Sequence, residues 1–107
     1  MEQVVENQMF VTKRNGEVVD FNPEKINIAI TKCIRASKNE VNQDGLKLIV
    51  KSIVEEIQMR FIDFYPNVEN VQDIVEKHLI DNDLYEIAKS YILYRAKRRE
   101  EREKQQE

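Results

Sequence analysis

The sequence predicts an α+β domain in which a small N-terminal β-hairpin, or sheet, covers a four-helix bundle. Three observations carry that expectation. Asn15-Gly16 stands between two short runs that read as strands, and this dipeptide is the strongest short hairpin signal, because a two-residue turn asks for positive φ at both positions. After it, four stretches repeat apolar residues at spacings of three and four, the period of a helix with one buried face. The 107 residues hold only two glycines and two prolines, which suits helices better than a sandwich with its many turns.

The strands are expected from Met9 to Arg14 and from Glu17 to Phe21, with room for one more short strand. Asn22 then reads as a helix N-cap with Pro23 at the first helical position, where a missing N–H costs nothing. Ile26, Ala29, Ile30, Cys33, Ile34 and Ser37 form the buried face of this first helix. Cys33 reads as a small core residue, since no activating partner for a reactive thiol is visible. Residues 38–44 are polar and turn-like, and either Asn39 or Asn42 can cap the next helix. That helix is the clearest in the chain, with Leu46, Ile49, Val50, Ile53, Val54, Ile57 and Phe61 in period.

Phe64-Tyr65-Pro66 ends it, because proline disfavours helical geometry in the residue before it. Asn67 can cap a third helix with Val68, Val71, Val75 and Leu79 inward. His78, the one histidine, lies on its inner side and reads as a packed or interfacial residue rather than a ligand. Asp81-Asn82-Asp83 marks the next break, and a last helix follows with Leu84, Ile87, Ala88, Tyr91 and Ile92 on its apolar side. Beyond Lys97 the apolar stripe stops. The i,i+4 pairs Lys97–Glu101, Arg99–Glu103 and Glu100–Lys104 support a solvated helical end by a few tenths of a kcal/mol each. The expected organisation is a loose leader over 1–8, a domain over 9–99, and a charged helical extension or linker over 100–107.

Length allows one domain with a single modest core. A single Cys excludes an intrachain disulfide framework and a Cys-based zinc site, and a reducing cytoplasm is the expected compartment. No apolar run approaches a membrane span, and MEQVVENQMF lacks the basic region and apolar stretch of a signal peptide. The net charge of -3 argues against broad attraction to nucleic acid or anionic membranes, and glutamates interleave the basic residues of 97–104.

A local basic pocket is compatible with that total. Lys13, Arg14 and Lys25 surround the predicted hairpin and the helix start, and a helix N-terminus beside clustered cations is a natural phosphate site. The bland alternative is a solvated strand end beside a turn. A nucleoside triphosphate carries roughly four negative charges, which a few cations and N–H groups offset without making the whole surface basic. There is no G-x-x-x-x-G-K-[ST] loop and no nucleophile-and-base arrangement, so binding without catalysis is expected. No ligand cluster suggests a protein metal site, although Mg²⁺ can arrive through the phosphates of a nucleotide.

Val11-Thr12-Lys13-Arg14-Asn15-Gly16, followed by Phe21-Asn22-Pro23-Glu24-Lys25-Ile26, resembles the opening of the ATP-cone. That family's pattern is V-x-K-R-D-G, four variable residues, then F-[DN]-x-x-K-I, and Asn15 alone departs from it. Val71-Gln72-Asp73-Ile74-Val75-Glu76 is similar to the family's I-Q-D-x-V-E, and Ala88 to Arg95 is similar to A-x-x-Y-I-x-Y-R. Three fragments in order, over about residues 9–99, make the resemblance specific.

The resemblance implies a regulatory domain of ribonucleotide reductases that binds ATP or dATP and controls activity through nucleotide-dependent oligomerisation. By the same resemblance, Lys13 and Arg14 contact phosphates or ribose and Lys25 adds a cation. Asn22 both caps its helix and reads the adenine edge, while Val11, Val19 and Ile26 wall the base. Some members carry a carboxylate where Val19 stands, which leaves base recognition here to backbone groups. Gln72 falls near sugar or phosphates in some relatives, or is an exposed helix residue. Lys97 matches a late basic residue loosely, with Arg95 as the other candidate. The implied partners are a reductase catalytic domain or subunit and further copies of the chain. The run Tyr91 to Glu103 looks most like the cone of anaerobic ribonucleoside-triphosphate reductases, with an aerobic parent or a free-standing cone as alternatives. At this length the chain has no room for a catalytic barrel, so no catalysis of its own is expected. The competing expectation, from another class, is a helical protein-interaction module in which the charged last helix pairs with a partner and the basic hairpin is incidental.

Overall fold

The structure, a computed structural model, describes residues 9–105; the leader expected over 1–8 lies outside the described residues. Two four-residue strands, β1 (Met9–Thr12) and β2 (Val18–Phe21), pair antiparallel. The hairpin forms where it was expected but turns differently. Gly16 N–H donates to the Lys13 carbonyl and Lys13 N–H to the Glu17 carbonyl, closing a three-residue loop. Gly16 has φ 90° and Asn15 does not enter the positive-φ region. Asn15 instead accepts the Glu17 N–H on its side-chain oxygen at 2.9 Å. A type I turn followed by a left-handed glycine replaces the two-residue turn, because it needs positive φ at one residue only. The resulting register sets Val11 opposite Val19 and Met9 opposite Phe21. Directly opposed residues share a face, so this register gathers the apolar side chains toward the helices.

Phe21 leads through Asn22-Pro23 into α1 (Glu24–Ser37). Asn22 Oδ1 accepts from Glu24 N–H at 3.0 Å, and Pro23 already holds helical φ and ψ. Lys38, at φ 59°, ends α1 with its N–H on the Ile34 and Arg35 carbonyls. Asn42 caps α2 (Gln43–Arg60) by accepting from Asp44 and Gly45. The chain then crosses Pro66 to α3 (Val68–Asp81), where Asn67 and Asn70 form a reciprocal capping box. After a second left-handed residue, Asp83, α4 runs from Tyr85 to Gln105.

α1 packs on α4 and α2, and α3 packs on the same two helices from the other side. Ile30, Leu46, Ile53, Ile74, Val75, Leu79 and Ile87 are fully buried, each worth about 1.5–3 kcal/mol of transfer free energy. Met9 and Val11 extend this core into the hairpin. β1 is also fastened to the α2–α3 connection, since Thr12 N–H donates to the Pro66 carbonyl at 2.8 Å and Thr12 bridges Asn67. Among the described residues the sheet gains this isolated bridge in place of a further strand. Ile92, expected inward, is 43% exposed, because the buried stripe of α4 continues through Tyr91, Tyr94 and Arg95.

Candidate functional site

Between the hairpin and helices α1, α3 and α4 lies a hollow of about 390 Å³. Val11 and Val19 form one wall, brought side by side by the strand register. Ile26 and Ala29, on the first turns of α1, form the second, and Val71 of α3 continues the apolar lining. Tyr91 and Tyr94 close it from α4, their rings stacked with centroids 6.0 Å apart. Lys13, Lys25, Arg98 and Arg102 reach it with positive charge, and Asp20 contributes one carboxylate. An apolar hollow of this size with a few convergent polar groups is the usual form of a small-molecule site.

Gln72 also lines this hollow, and there the structure departs from an exposed helix residue. It is 8% exposed, and its Oε1 is buried without a hydrogen-bond partner. An unpaired buried acceptor costs about 1–3 kcal/mol, and because Oε1 is itself shielded from solvent, a ligand donor in the hollow relieves that cost only by drawing the Gln72 amide round toward it.

A larger, open cleft of about 1130 Å³ adjoins the first and shares Lys13, Val68 and Arg102 with it. The hairpin loop, with Arg14, forms one bank, and Phe64, Tyr65 and the start of α3 form the other. Arg14 lies 3.6 Å from Glu103 of α4. The N-terminus of α1 offers less to an anion than the sequence suggested. Glu24 N–H is taken by Asn22 Oδ1, and the Lys25 and Ile26 N–H groups bond the Asn22 and Pro23 carbonyls. Anion binding therefore falls to side-chain cations. Asn22 lines neither cavity, and its amide nitrogen keeps two N–H donors.

Lys97 is exposed and lines neither cavity, whereas Arg98 and Arg102 do. Tyr91, Tyr94, Arg98 and Arg102 follow at spacings of three and four, so one helical face carries them all. That signal was present in the sequence beneath a run of similar basic residues. Arg95 is committed elsewhere: it bonds Glu69, Asp73 and Glu76 of α3 at 2.7, 2.9 and 3.0 Å. Arg99 joins the same Glu69 at 2.7 Å. The Arg99 bond, with Arg95 beside it, holds the Glu69 carboxyl below the usual carboxylate range despite partial burial. These bonds weld α3 to α4 behind the hollow.

The remaining reactive side chains are structural. His78 Nε2 sits 2.7 Å from Glu56 Oε1 between α3 and α2. Burial pushes the Cys33 thiol up to about 11, which keeps it unreactive near neutral pH. Among the described residues no group of three His, Cys, Asp or Glu side chains is placed to hold a metal, and no helix is long and apolar enough to cross a membrane.

Residues 9–100 match the family described as ATP cone domain. The chain belongs to the ATP-cone family. The hairpin followed by four helices is consistent with that fold. This cone is 39% identical to a vitamin B12-dependent ribonucleoside-diphosphate reductase of Thermoplasma acidophilum, in a match covering 90% of the chain and 13% of the relative. It is 37% identical to the ribonucleoside-diphosphate reductase subunit alpha of Chlamydia trachomatis, covering 91% of the chain and 10% of that protein. The corresponding subunit of Treponema pallidum is 31% identical. The cone thus spans about a tenth of the length of the curated relatives it matches.

Proposed function

We propose that this ATP cone is a non-catalytic sensor that binds ATP or dATP and regulates a ribonucleotide reductase through nucleotide-dependent association. The observation that carries the reading is the apolar hollow with cations around it, lined in part by Gln72, a buried amide whose Oε1 lacks a partner. Adenine lies between Val11, Val19 and Ile26 with backbone groups near Val19 reading its edge, and the Asn22 amide, outside both cavities, joins them only by turning toward the base. The phosphates extend toward Lys13 and Lys25 and on to Arg14, accompanied by Mg²⁺ that they carry themselves. Gln72 accepts from a ribose hydroxyl. Lys97, outside both cavities, contributes only long-range charge.

ATP and dATP differ by one 2′-hydroxyl, so regulation requires that this contact difference favour one helix packing over another. The effect is transmitted to a reductase catalytic domain or subunit, in the cytoplasm. The run Tyr91 to Glu103 supports a ribonucleoside-triphosphate reductase as parent, while the names of the relatives support a diphosphate reductase.

The test is calorimetric titration of the chain with ATP, dATP and GTP in Mg²⁺, with molar mass followed by light scattering. Expected are micromolar binding of both adenine nucleotides, no binding of GTP, and a larger mass with dATP. Absence of adenine-nucleotide binding sinks the reading. A second reading then takes over, because Met59 in the last turn of α2 and Ile62 just beyond it are 74% and 80% exposed, the surface a helical interaction module presents.

A further inference from the structure

The family match ends at residue 100, yet α4 continues to Gln105 and its last turns reach both cavities and the hairpin loop. Arg102 lines both cavities. Its guanidinium is 3.6 Å from Glu69 Oε2, with the side chain 36% exposed. The other oxygen of Glu69 holds Arg95 and Arg99 at 2.7 Å each. Three arginines therefore share one carboxylate, and Arg102 is the one held most loosely. One position further on, Glu103 stands 3.6 Å from Arg14 of the hairpin loop, both side chains more than half exposed.

We propose that the end of α4 is part of the nucleotide site, with Arg102 as a phosphate contact and Glu103 as the carboxylate that phosphate displaces from Arg14. This inference rests on the nucleotide reading above. The Arg102–Glu69 and Arg14–Glu103 contacts are both longer than the 2.7–2.9 Å of a charge-assisted hydrogen bond, so neither of these two contacts competes strongly with a phosphate that can accept two parallel N–H bonds. Releasing Arg102 leaves Glu69 with its two short bonds, and breaking the Arg14–Glu103 contact leaves Glu103 in water. Neither exchange strands a buried charge, the usual cost of breaking an ion pair.

The experiment is titration of the full chain, its Arg102→Gln variant and its Glu103→Gln variant with ATP, and with adenosine by competition. Arg102→Gln is expected to weaken ATP binding about tenfold and to leave adenosine unchanged, as loss of one charge-assisted contact requires. Glu103→Gln is expected to tighten ATP binding roughly two- to fivefold at low salt, the range of an exposed ion pair. Unchanged ATP affinity in Arg102→Gln, or an equal loss for adenosine, overturns the phosphate contact. No gain in Glu103→Gln overturns the displacement. If the unmodified chain binds no adenine nucleotide, the nucleotide reading itself has failed, which is visible before any variant is compared.

Discussion

Gly16 and Lys38 hold the same kind of backbone conformation with opposite side-chain suitability. Gly16 takes φ 90° in the hairpin loop, and Lys38 takes φ 59° at the end of α1. An L side chain in the left-handed region costs about 1–2 kcal/mol, partly offset by the chain entropy that glycine brings to the unfolded state. A Cβ at Gly16 meets nothing within 4 Å, so Gly16→Ala carries the backbone cost alone, about 1 kcal/mol. Lys38→Gly should instead stabilise, by up to about 1 kcal/mol. Urea midpoints of the two variants should move in opposite directions; equal shifts of one sign would contradict this account. The dipeptide Asn15-Gly16 announced the hairpin, but the register followed from which residue accepted positive φ, a choice between two low-energy turns. Gln72 was harder to place, because a polar side chain is buried only when a site provides a reason. Arg98 and Arg102 were hidden by their basic neighbours, which composition alone does not separate.

The helices were legible because each carries its apolar stripe in period, but their fastenings were not. Glu56 of α2 accepts hydrogen bonds from Lys77 and pairs with His78 of α3, and with Arg60 of its own helix. Burial alone would raise the Glu56 carboxyl, yet these three partners outweigh it and hold it at about 2, from an ordinary 4.5. The sign follows from linkage. A carboxylate depressed in the folded state stabilises above its unfolded pKa, and that contribution fades as pH falls from about 4.5 toward 2. Glu56→Gln should therefore lower stability at pH 7 by about 1.5–3 kcal/mol, the worth of hydrogen bonds to a charged group. It should also flatten the acid limb between pH 4.5 and 2, and denaturant unfolding across that range reads both effects. An acid limb unchanged in the variant would mean that other carboxylates dominate. No periodicity rule foretells such a cluster, since it depends on which turns of α2 and α3 meet. The arginines of α4 make the same point: pairs expected along the helix give way to Arg95 and Arg99 reaching across to α3.

At the scale of the whole molecule, the hollow draws its lining from the hairpin and from α1, α3 and α4, so a ligand there touches most of the fold at once. A nucleotide that binds only this folded arrangement must stabilise it by mass action. At a free concentration a hundred times its dissociation constant the gain is about 2.7 kcal/mol. For a domain near this size that corresponds to a rise in melting temperature of about 10–20 °C. ATP and dATP in Mg²⁺ are expected to produce it, and GTP at the same concentration to leave the transition where it was. The comparison needs several protein concentrations, because an upward shift that grows with protein concentration reports association as well as binding. Equal shifts from ATP, GTP and inorganic triphosphate would reduce the site to a patch of positive charge. Stabilisation by adenine nucleotides alone would require polar groups that read the edge of the base, the role proposed above for backbone groups near Val19, because apolar walls such as Val11, Val19 and Ile26 meet either purine alike.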